Sequence, residues 1–257
     1  MSRLWNKTRL RLYLAPGHIQ LAAVAGYWKP AVVGKHEALK AGESAIGMLE
    51  ALDEVVTREW LGAQLEVVLS AAVVRCFWRP WDEGCLSVSD MNAVAAVFFE
   101  KQFAPLSASE MVLSFGKLRF EQPQLVVAVE RTFLERITQW SRARGLHLRR
   151  VEPLPLVVWN RFESALQVTD RALVVVETER ATLLGHDAGI LSELHVRPCF
   201  GANEVALRQA FGAMLPAQFR IFAARGESTP ALLDLRSGPG FLQGQDRTFA
   251  FSLCGVF

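Results

Sequence analysis

The chain has 257 residues, is 51% hydrophobic and 21% charged, and carries a formal net charge of +2. A chain of this length can bury a sizeable core, either as one large domain or as two lobes. Its near-neutral net charge argues against a nucleic-acid-binding domain, because such domains are typically strongly basic. The four cysteines contain no C-x-x-C pair, so no zinc site is expected, and no apolar run reaches the length of a signal peptide or a membrane span. We therefore expect a soluble protein of the reducing cytoplasm.

Residues 9–33 are predicted to form a three-stranded β-meander. The stretch RLRLYL alternates basic and apolar residues with the period of a half-buried strand, and Gly17 and Gly26 mark the two turns. The basic residues near the start have two readings, a solvated strand edge or a contact with an anionic surface, and they are Arg3, Lys7, Arg9 and Arg11.

A helix is predicted over Glu37–Trp60, because its apolar residues recur at three- and four-residue steps. Strands are predicted at Leu65–Ser70 and Val73–Trp78. The next helix, capped by Ser87 or Ser89, is apolar on more than one side, which predicts burial on two faces. A short hairpin around Met111–Phe120 follows, with its turn predicted at Gly116 and Lys117, and the last predicted strand of this stretch is QLVVAVE.

The run from Arg131 to Phe162 is predicted to hold a helix, a strand and a second short helix. Four residues of the first helix share an apolar face: Phe133, Leu134, Ile137 and Trp140. Gly145 is a reasonable end for that helix, and the prolines of VEPLPLVVW mark the start of the short one.

From Thr169 the pattern begins again. Strands are predicted in RALVVVET, ERATLLGH and ILSELHVR, followed by a helix over Asn203–Leu215. A meander followed by a helix thus occurs twice, which predicts an internal duplication. We expect one lobe over 1–165, with an inserted subdomain around 85–150, and a second lobe over 166–257. FRIFAA and the terminal TFAFSLCGVF are predicted to be strands, with a glycine-rich loop, SGPGFLQG, between them.

The order of these elements resembles the actin-like fold, a duplicated ribonuclease H-like α/β fold, in its form in the PilM proteins of type IV pili and the cytoplasmic GspL domain of type II secretion. The residues that carry the resemblance are the opening hairpin, the helix VSDMNAVAAVFFEKQF, the run Leu125–Phe162 and the second meander. The resemblance implies two α/β lobes, each led by a meander.

Nucleotide-binding members of this family have an acidic residue and a glycine in the first hairpin and an Asp-x-Gly-like turn in the second, to hold phosphate and Mg²⁺. Gly17 matches the first glycine, but Ala15 lies near the position of the acid. Glu177 and Glu179 keep negative charge in the second hairpin, without a glycine between them. Either the ATP and magnesium site has been lost, or weak binding survives through Gly17, Glu177 and Glu179.

The resemblance implies a non-catalytic scaffold of a pilus or secretion platform, held at the inner membrane through a PilN-like or GspM/GspL-like partner. The chain itself and the assembly ATPase are further candidate partners, and no nucleic-acid partner is expected. We predict that the Met111–Phe120 hairpin contacts the partner through Met111, Leu113, Phe115 and Phe120. The motif FWRPW either adds to an interface or covers a core edge.

The alternative is an actin-like ATPase or a sugar-kinase-like enzyme with an atypical site. Such an enzyme needs a carboxylate for Mg²⁺ or for a hydroxyl proton, and the candidates are Glu177, Glu179 and Asp187. The sequence contains no P-loop and no G-x-S-x-G elbow, and its histidines lack metal-site spacing, so we assign no catalytic or metal-binding residue.

Overall fold

The computed structural model describes residues 8–26, 31–41, 47–50, 56, 60–84, 87–167, 169–223 and 250–254. The chain divides into two compact units, the first made of Met1–Ala72 and Trp140–Phe257 and the second of Val73–Gln139. The lobes predicted at 1–165 and 166–257 both contribute to the first unit, and their boundary stays a prediction.

The strands of the described residues are β1 (Arg9–Ala15), β2 (Gly17–Ala25), β3 (Ala31–Ala41), β4 (Gln64–Leu69), β5 (Val74–Arg79), β6 (Met111–Phe115), β7 (Gln124–Glu130), β8 (His147–Pro153), β9 (Ala172–Val176), β10 (Arg180–Asp187), β11 (Ile190–Pro198) and β12 (Phe219–Ala223). The α-helices are α1 (Val88–Phe103), α2 (Arg131–Ala143), α3 (Leu154–Phe162), α4 (Glu204–Phe211) and α5 (Ala250–Leu253). Short 3₁₀ turns lie at Ala108–Glu110, Glu163–Ala165 and Gly212–Met214.

The first unit contains a five-stranded sheet in the order β3-β2-β1-β4-β8. β1 pairs antiparallel with β2 and parallel with β4, so it lies inside the sheet and is buried on both faces. Arg11 is therefore only 1% exposed. The prediction of a solvated strand edge is wrong for Arg11. The parallel pairing with β4 places β1 inside the sheet, and the local sequence pattern does not reveal that pairing.

The second sheet of the first unit repeats this arrangement. Its order is β11-β10-β9-β12, with β9 antiparallel to β10 and parallel to β12. Strand for strand, this is the order of β3-β2-β1-β4 in the first sheet. The predicted duplication is therefore confirmed in the topology.

Helix α3 contacts strands of both sheets, β4 and β8 in the first and β9 and β10 in the second. Pro155 lies in its first turn, as predicted. At the other end of the chain, residues 250–253 form α5, a buried helical turn that contacts β1 and β2. The prediction of a strand at TFAFSLCGVF is wrong for these residues. Their sequence alternates as in a strand, but residues 250–253 form a helical turn.

The second unit contains the three-stranded sheet β5-β7-β6 and helix α1. Ser87 and Asp90 form a capping box that fixes the start of α1, as the Ser87 prediction required. The buried residues of α1 are Ala95 and Phe99, while Val97 is 66% exposed. Burial on two faces is therefore wrong within the described residues, because α1 packs on its sheet with one face.

Two further boundaries differ from prediction. β3 extends to Ala41, so the start of the helix predicted at Glu37 is strand, whereas residues 47–50 are helical and much of the remaining stretch lies outside the described residues. The hairpin of β6 and β7 has no two-residue turn at Gly116 and Lys117, since the loop runs over residues 116–123. SGPGFLQG also lies outside the described residues.

Candidate functional site

The turn between β1 and β2 is formed by Pro16 and Gly17. Ala15 pairs with His18 across it, and Gly17 has a φ of +72°, which a residue with a Cβ adopts at a cost. A Cβ on Gly17 would meet no atom within 4 Å. The backbone conformation therefore requires this glycine, and the space around it does not.

The corresponding turn of the second sheet joins β9 to β10 through Thr178 and Glu179. It is closed by a hydrogen bond from the Glu177 N–H to the Arg180 carbonyl, 2.9 Å long. Thr178 and Glu179 are exposed, whereas Glu177 is buried. The two acids that sequence analysis grouped together thus lie in different surroundings.

The Glu177 carboxyl group is hydrogen-bonded to three groups of the protein. The Tyr13 hydroxyl donates to Oε1 at 2.7 Å, and the Ala71 N–H donates to Oε2 at 3.1 Å. The Ser70 side chain also hydrogen-bonds to this carboxyl group. Because Tyr13 lies on β1 and Ser70 and Ala71 follow β4, Glu177 ties the second sheet to the ends of two strands of the first.

Burial raises the pKa of Glu177, and this desolvation outweighs its hydrogen bonds to Ser70, Tyr13 and Ala71. Burial also raises the pKa of the Tyr13 hydroxyl, and the nearby Glu177 adds to the effect. Both shifts disfavour the charged forms. The cluster of Tyr13, Ser70, Ala71 and Glu177, which we name the Glu177 cluster, is therefore an interior polar network with its hydrogen bonds made inside the protein.

Aromatic rings pack beside the Glu177 cluster. Tyr13 contacts His18 with ring centroids 5.6 Å apart and Phe251 with centroids 4.8 Å apart. Phe251 continues the row to Phe222 at 6.1 Å, and Phe222 contacts Phe162 at 5.6 Å. Helix α5 thus places an aromatic side chain next to the first hairpin.

A row of charged residues crosses three adjacent strands of the first sheet. Register places Arg11 of β1 opposite Glu66 of β4, and Glu66 opposite Arg150 of β8. The Arg11 guanidinium lies 2.5 Å from Glu66 Oε2, and that of Arg150 lies 3.1 Å from the same atom. Arg11 also donates to the backbone carbonyls of Ser252 and Cys254, which fixes the end of α5.

Burial works to raise the pKa of Glu66, but the charges and hydrogen bonds of Arg11 and Arg150 outweigh it and hold that pKa below its ordinary value. Glu66 is 2% exposed and is therefore a buried charged carboxylate. One of its partners, Arg11, also hydrogen-bonds to the backbone at Ser252 and Cys254, so Glu66 links β1, β8 and the end of α5.

The structure does not bring the three candidate carboxylates together. Glu179 precedes β10 and Asp187 ends it, so the length of the strand separates them by about 25 Å. The Asp187 side chain is 87% exposed and lies 3.8 Å from Arg171. Among the residues that the structure describes, no group of three metal-binding side chains comes together.

The four predicted contact residues of the second unit fall into two classes. Met111 is buried in the core of that unit, and Leu113 and Phe115 pack partly against it. Phe120 lies in the loop, is 76% exposed, and contacts Trp81 with ring centroids 5.3 Å apart. Phe120 is thus the member of the set whose side chain is most available to a partner.

Sequence analysis missed Tyr13, Arg11 and Glu66 as parts of this site. The alternation of RLRLYL places Arg11 and Tyr13 on one face of β1, which is a signal that could have been used. Glu66 interrupts the apolar strand QLEVVL, and a lone charge in a buried strand indicates an interior partner.

No protein-family model matches the chain, and no curated protein matches its sequence. Several solved structures match its fold. The cytoplasmic domain of EpsL, an inner membrane component of the type II secretion system of Vibrio cholerae, has a TM-score of 0.61 and 12% identity, with 98% of this chain and 97% of that chain covered.

Two other structures extend this likeness. A Bacteroides thetaiotaomicron protein with an actin-like ATPase fold and unknown function has a TM-score of 0.53 and 7% identity, covering 76% of this chain and 72% of that chain. A PilM–PilN type IV pilus biogenesis complex has a TM-score of 0.51 and 20% identity, covering 75% of this chain and 62% of that chain.

The chain therefore has the actin-like fold, and the predicted α/β fold class is confirmed. The resemblance to PilM and GspL proteins is confirmed at the level of the fold, since two of the similar structures come from type II secretion and type IV pilus assembly. Within the described residues, no helix is both long enough and apolar enough to cross a bilayer.

Proposed function

We propose that this chain is a non-catalytic scaffold of a type II secretion or type IV pilus assembly platform, acting on the cytoplasmic side of the inner membrane. The observation that carries the proposal is an actin-like fold whose candidate nucleotide carboxylate, Glu177, is buried among the protein's own donors. The likeness to the EpsL cytoplasmic domain over nearly the whole of both chains supports the choice of system.

The residues at the two hairpins do not fit a magnesium nucleotide. A carboxylate that holds hydrated Mg²⁺ must be charged and must reach the water shell of the ion. Glu177 is buried with a raised pKa, and Ala15 supplies no carboxylate in the first hairpin. We therefore propose that the nucleotide site is closed by the Glu177 cluster, and that neither ATP nor magnesium is a resident cofactor.

The enzymatic alternative needs an accessible carboxylate close to the hairpins. Glu179 is exposed beside the second turn, which is the one observation that favours this alternative. Asp187 lies at the far end of β10 and would have to act on a different site. The alternative therefore depends on Glu179 alone.

For the partner, we propose a PilN-like or GspM-like inner-membrane protein that holds this chain at the membrane. β6 is an outer strand of the sheet β5-β7-β6, so within the described residues its outer side offers backbone groups to an extended peptide. Phe120 supplies an exposed aromatic contact near the same hairpin. A contact with the assembly ATPase is a further proposal that this surface does not address.

The experiment that tests the role is affinity capture from the cytoplasmic and membrane fractions of the native cell, with wild type and Phe120→Ser as baits. We expect wild type to recover secretion or pilus platform proteins and Phe120→Ser to recover less. Val33→Ser, which changes an exposed apolar residue of the first unit, is the matched control and should behave as wild type. Recovery of a soluble metabolic complex by wild type would contradict the proposed role.

A further inference from the structure

The outer strand of the second sheet has an unusual self-complementary sequence. β11 lies at the end of the order β11-β10-β9-β12, and within the described residues only β10 pairs with it. An unpaired strand edge is a template for another strand unless it is covered or blocked. The residues of β11 therefore decide which strand the edge accepts.

The backbone groups that point outward can be identified from one hydrogen bond. The Cys199 N–H donates to the Glu179 carbonyl, so Cys199 faces β10. In an antiparallel ladder these positions alternate, so Arg197, His195 and Glu193 also direct their backbone groups to β10. Leu194 and Val196 therefore direct theirs to the outside, and Pro198, which has no N–H to offer, occupies the next outward position.

The charged side chains of β11 are symmetric about His195. Glu193, His195 and Arg197 alternate along one face, and Glu193 Oε2 lies 3.7 Å from His195 Nε2. If a second β11 pairs antiparallel with its centre at His195, Glu193 lies opposite the partner's Arg197, and Arg197 lies opposite the partner's Glu193. Opposite charges placed in this way stabilise strand pairs.

The hydrogen-bonding positions agree with the same centre. Pairing about His195 places Leu194 opposite the partner's Val196, and these residues are the ones with outward backbone groups. Each such pair exchanges two N–H···O bonds. Residues 193–197 pair with β10 in an unbroken register, and the irregularity between Gly185 and His186 begins beyond Glu193, where Ser192 has no partner in the register. A centre at Leu194 or Val196 would lose the double Glu–Arg match.

We propose that β11 is a homodimerisation edge, which pairs antiparallel with β11 of a second copy about a two-fold axis at His195. A two-fold axis uses the same patch on both subunits. This inference is independent of the proposed assembly role.

Charge reversal tests the pairing through sedimentation equilibrium of the full chain. Wild type should form a reversible dimer, and either Glu193→Arg or Arg197→Glu should raise its dissociation constant about tenfold, because two attractive pairs become repulsive. The double variant Glu193→Arg/Arg197→Glu restores opposite charges and should restore the dimer. The matched control is Arg136→Glu, an exposed reversal on α2, which should leave the dissociation constant unchanged.

Cysteine cross-linking tests the axis itself. His195→Cys places two thiols at a non-hydrogen-bonded pair, where Cα atoms lie about 4.5 Å apart, within the range of a disulfide. Arg197→Cys places its two thiols four residues apart along the strands, about 13 Å, and should not cross-link. We expect a disulfide-linked dimer from His195→Cys alone. A wild-type monomer at all concentrations, a dimer that ignores the charge reversals, or equal cross-linking by both cysteines would overturn the proposal.

Discussion

Among the residues that the structure describes in the first unit, Glu66 and Glu177 are buried glutamates whose surroundings differ in charge. Glu66 is bonded by the guanidinium groups of Arg11 and Arg150, whereas Glu177 receives hydrogen bonds from Tyr13, Ser70 and Ala71. Burial works to raise both pKa values, yet the pKa of Glu66 is lowered and the pKa of Glu177 is raised. For Glu66 the charges and hydrogen bonds of Arg11 and Arg150 outweigh desolvation, whereas for Glu177 desolvation outweighs the hydrogen bonds.

Buried carboxylates have two different environments in the interior of this actin-like fold. Glu66 stays charged but is enclosed by cations that fix three strands and the C-terminal turn. Glu177 lies at the end of β9, where the fold resemblance implies phosphate chemistry, but its oxygens are already taken up. We therefore expect both glutamates to stabilise the fold of the first unit.

The largest effect is expected when Glu66 is changed to Gln. Removal of one partner of a buried ion pair leaves uncompensated charge and costs about 3–5 kcal/mol. We expect the free energy of unfolding, measured by urea denaturation, to fall by this amount. Glu152→Gln is the control, since Glu152 pairs with Arg150 at a partly exposed site worth about 0–1 kcal/mol. Equal losses in both variants would show that Glu66 is not the centre of the charged row.

The next effect concerns the hydrogen bond between Tyr13 and Glu177. Tyr13→Phe keeps the ring contacts and removes one donor from a buried carboxyl group, which costs about 1–3 kcal/mol. Urea denaturation of Tyr13→Phe, Glu177→Leu and the double variant measures the coupling, because leucine has no oxygen to accept from the Tyr13 hydroxyl. We expect losses that are clearly less than additive, and strict additivity would mean that the bond contributes nothing.

The pH dependence separates the two acids. A raised folded pKa makes the contribution of Glu177 fully present below its unfolded pKa of about 4.3 and lost as pH rises through the folded value, by up to about 1.4 kcal/mol per pH unit. We therefore expect wild type to lose stability relative to Glu177→Gln as pH rises over this window.

Glu66 has the opposite sign, because its folded pKa is lowered. Its contribution is present above about pH 4.3 and is lost as pH falls through the folded pKa, and Glu66→Gln should abolish this acid dependence. Unfolding curves at a series of pH values measure both slopes. The same sign for both glutamates would contradict the comparison.

The smallest effect concerns the first hairpin. Gly17→Ala should cost about 1 kcal/mol through its positive φ, without a clash, because a Cβ there meets open space. Gly34→Ala is the control: its Cβ would meet Ala23 at 3.5 Å and Trp60 at 3.7 Å, which is ordinary contact. We expect no loss of thermal stability in this second variant, and a loss larger than that of Gly17→Ala would contradict the explanation by backbone conformation.

The duplicated meanders were predictable from sequence because their periods, glycines and turns are local. The role of Glu177 was not, because its donors Tyr13 and Ser70 are more than 100 residues away in the chain. Arg11 was misread for a similar reason, since its burial depends on the parallel pairing of β1 with β4. The helical turn at α5 escaped prediction because four residues carry too little periodicity to separate helix from strand.

The most direct test of the central claim, closure of the nucleotide site by the Glu177 cluster, is thermal unfolding of the wild-type chain with and without millimolar Mg-ATP. A ligand present at 100 times its dissociation constant stabilises a protein by about 2.7 kcal/mol, which displaces the melting temperature measurably. We predict the same melting temperature in both conditions. A reproducible increase with Mg-ATP that is absent with magnesium alone would contradict the account.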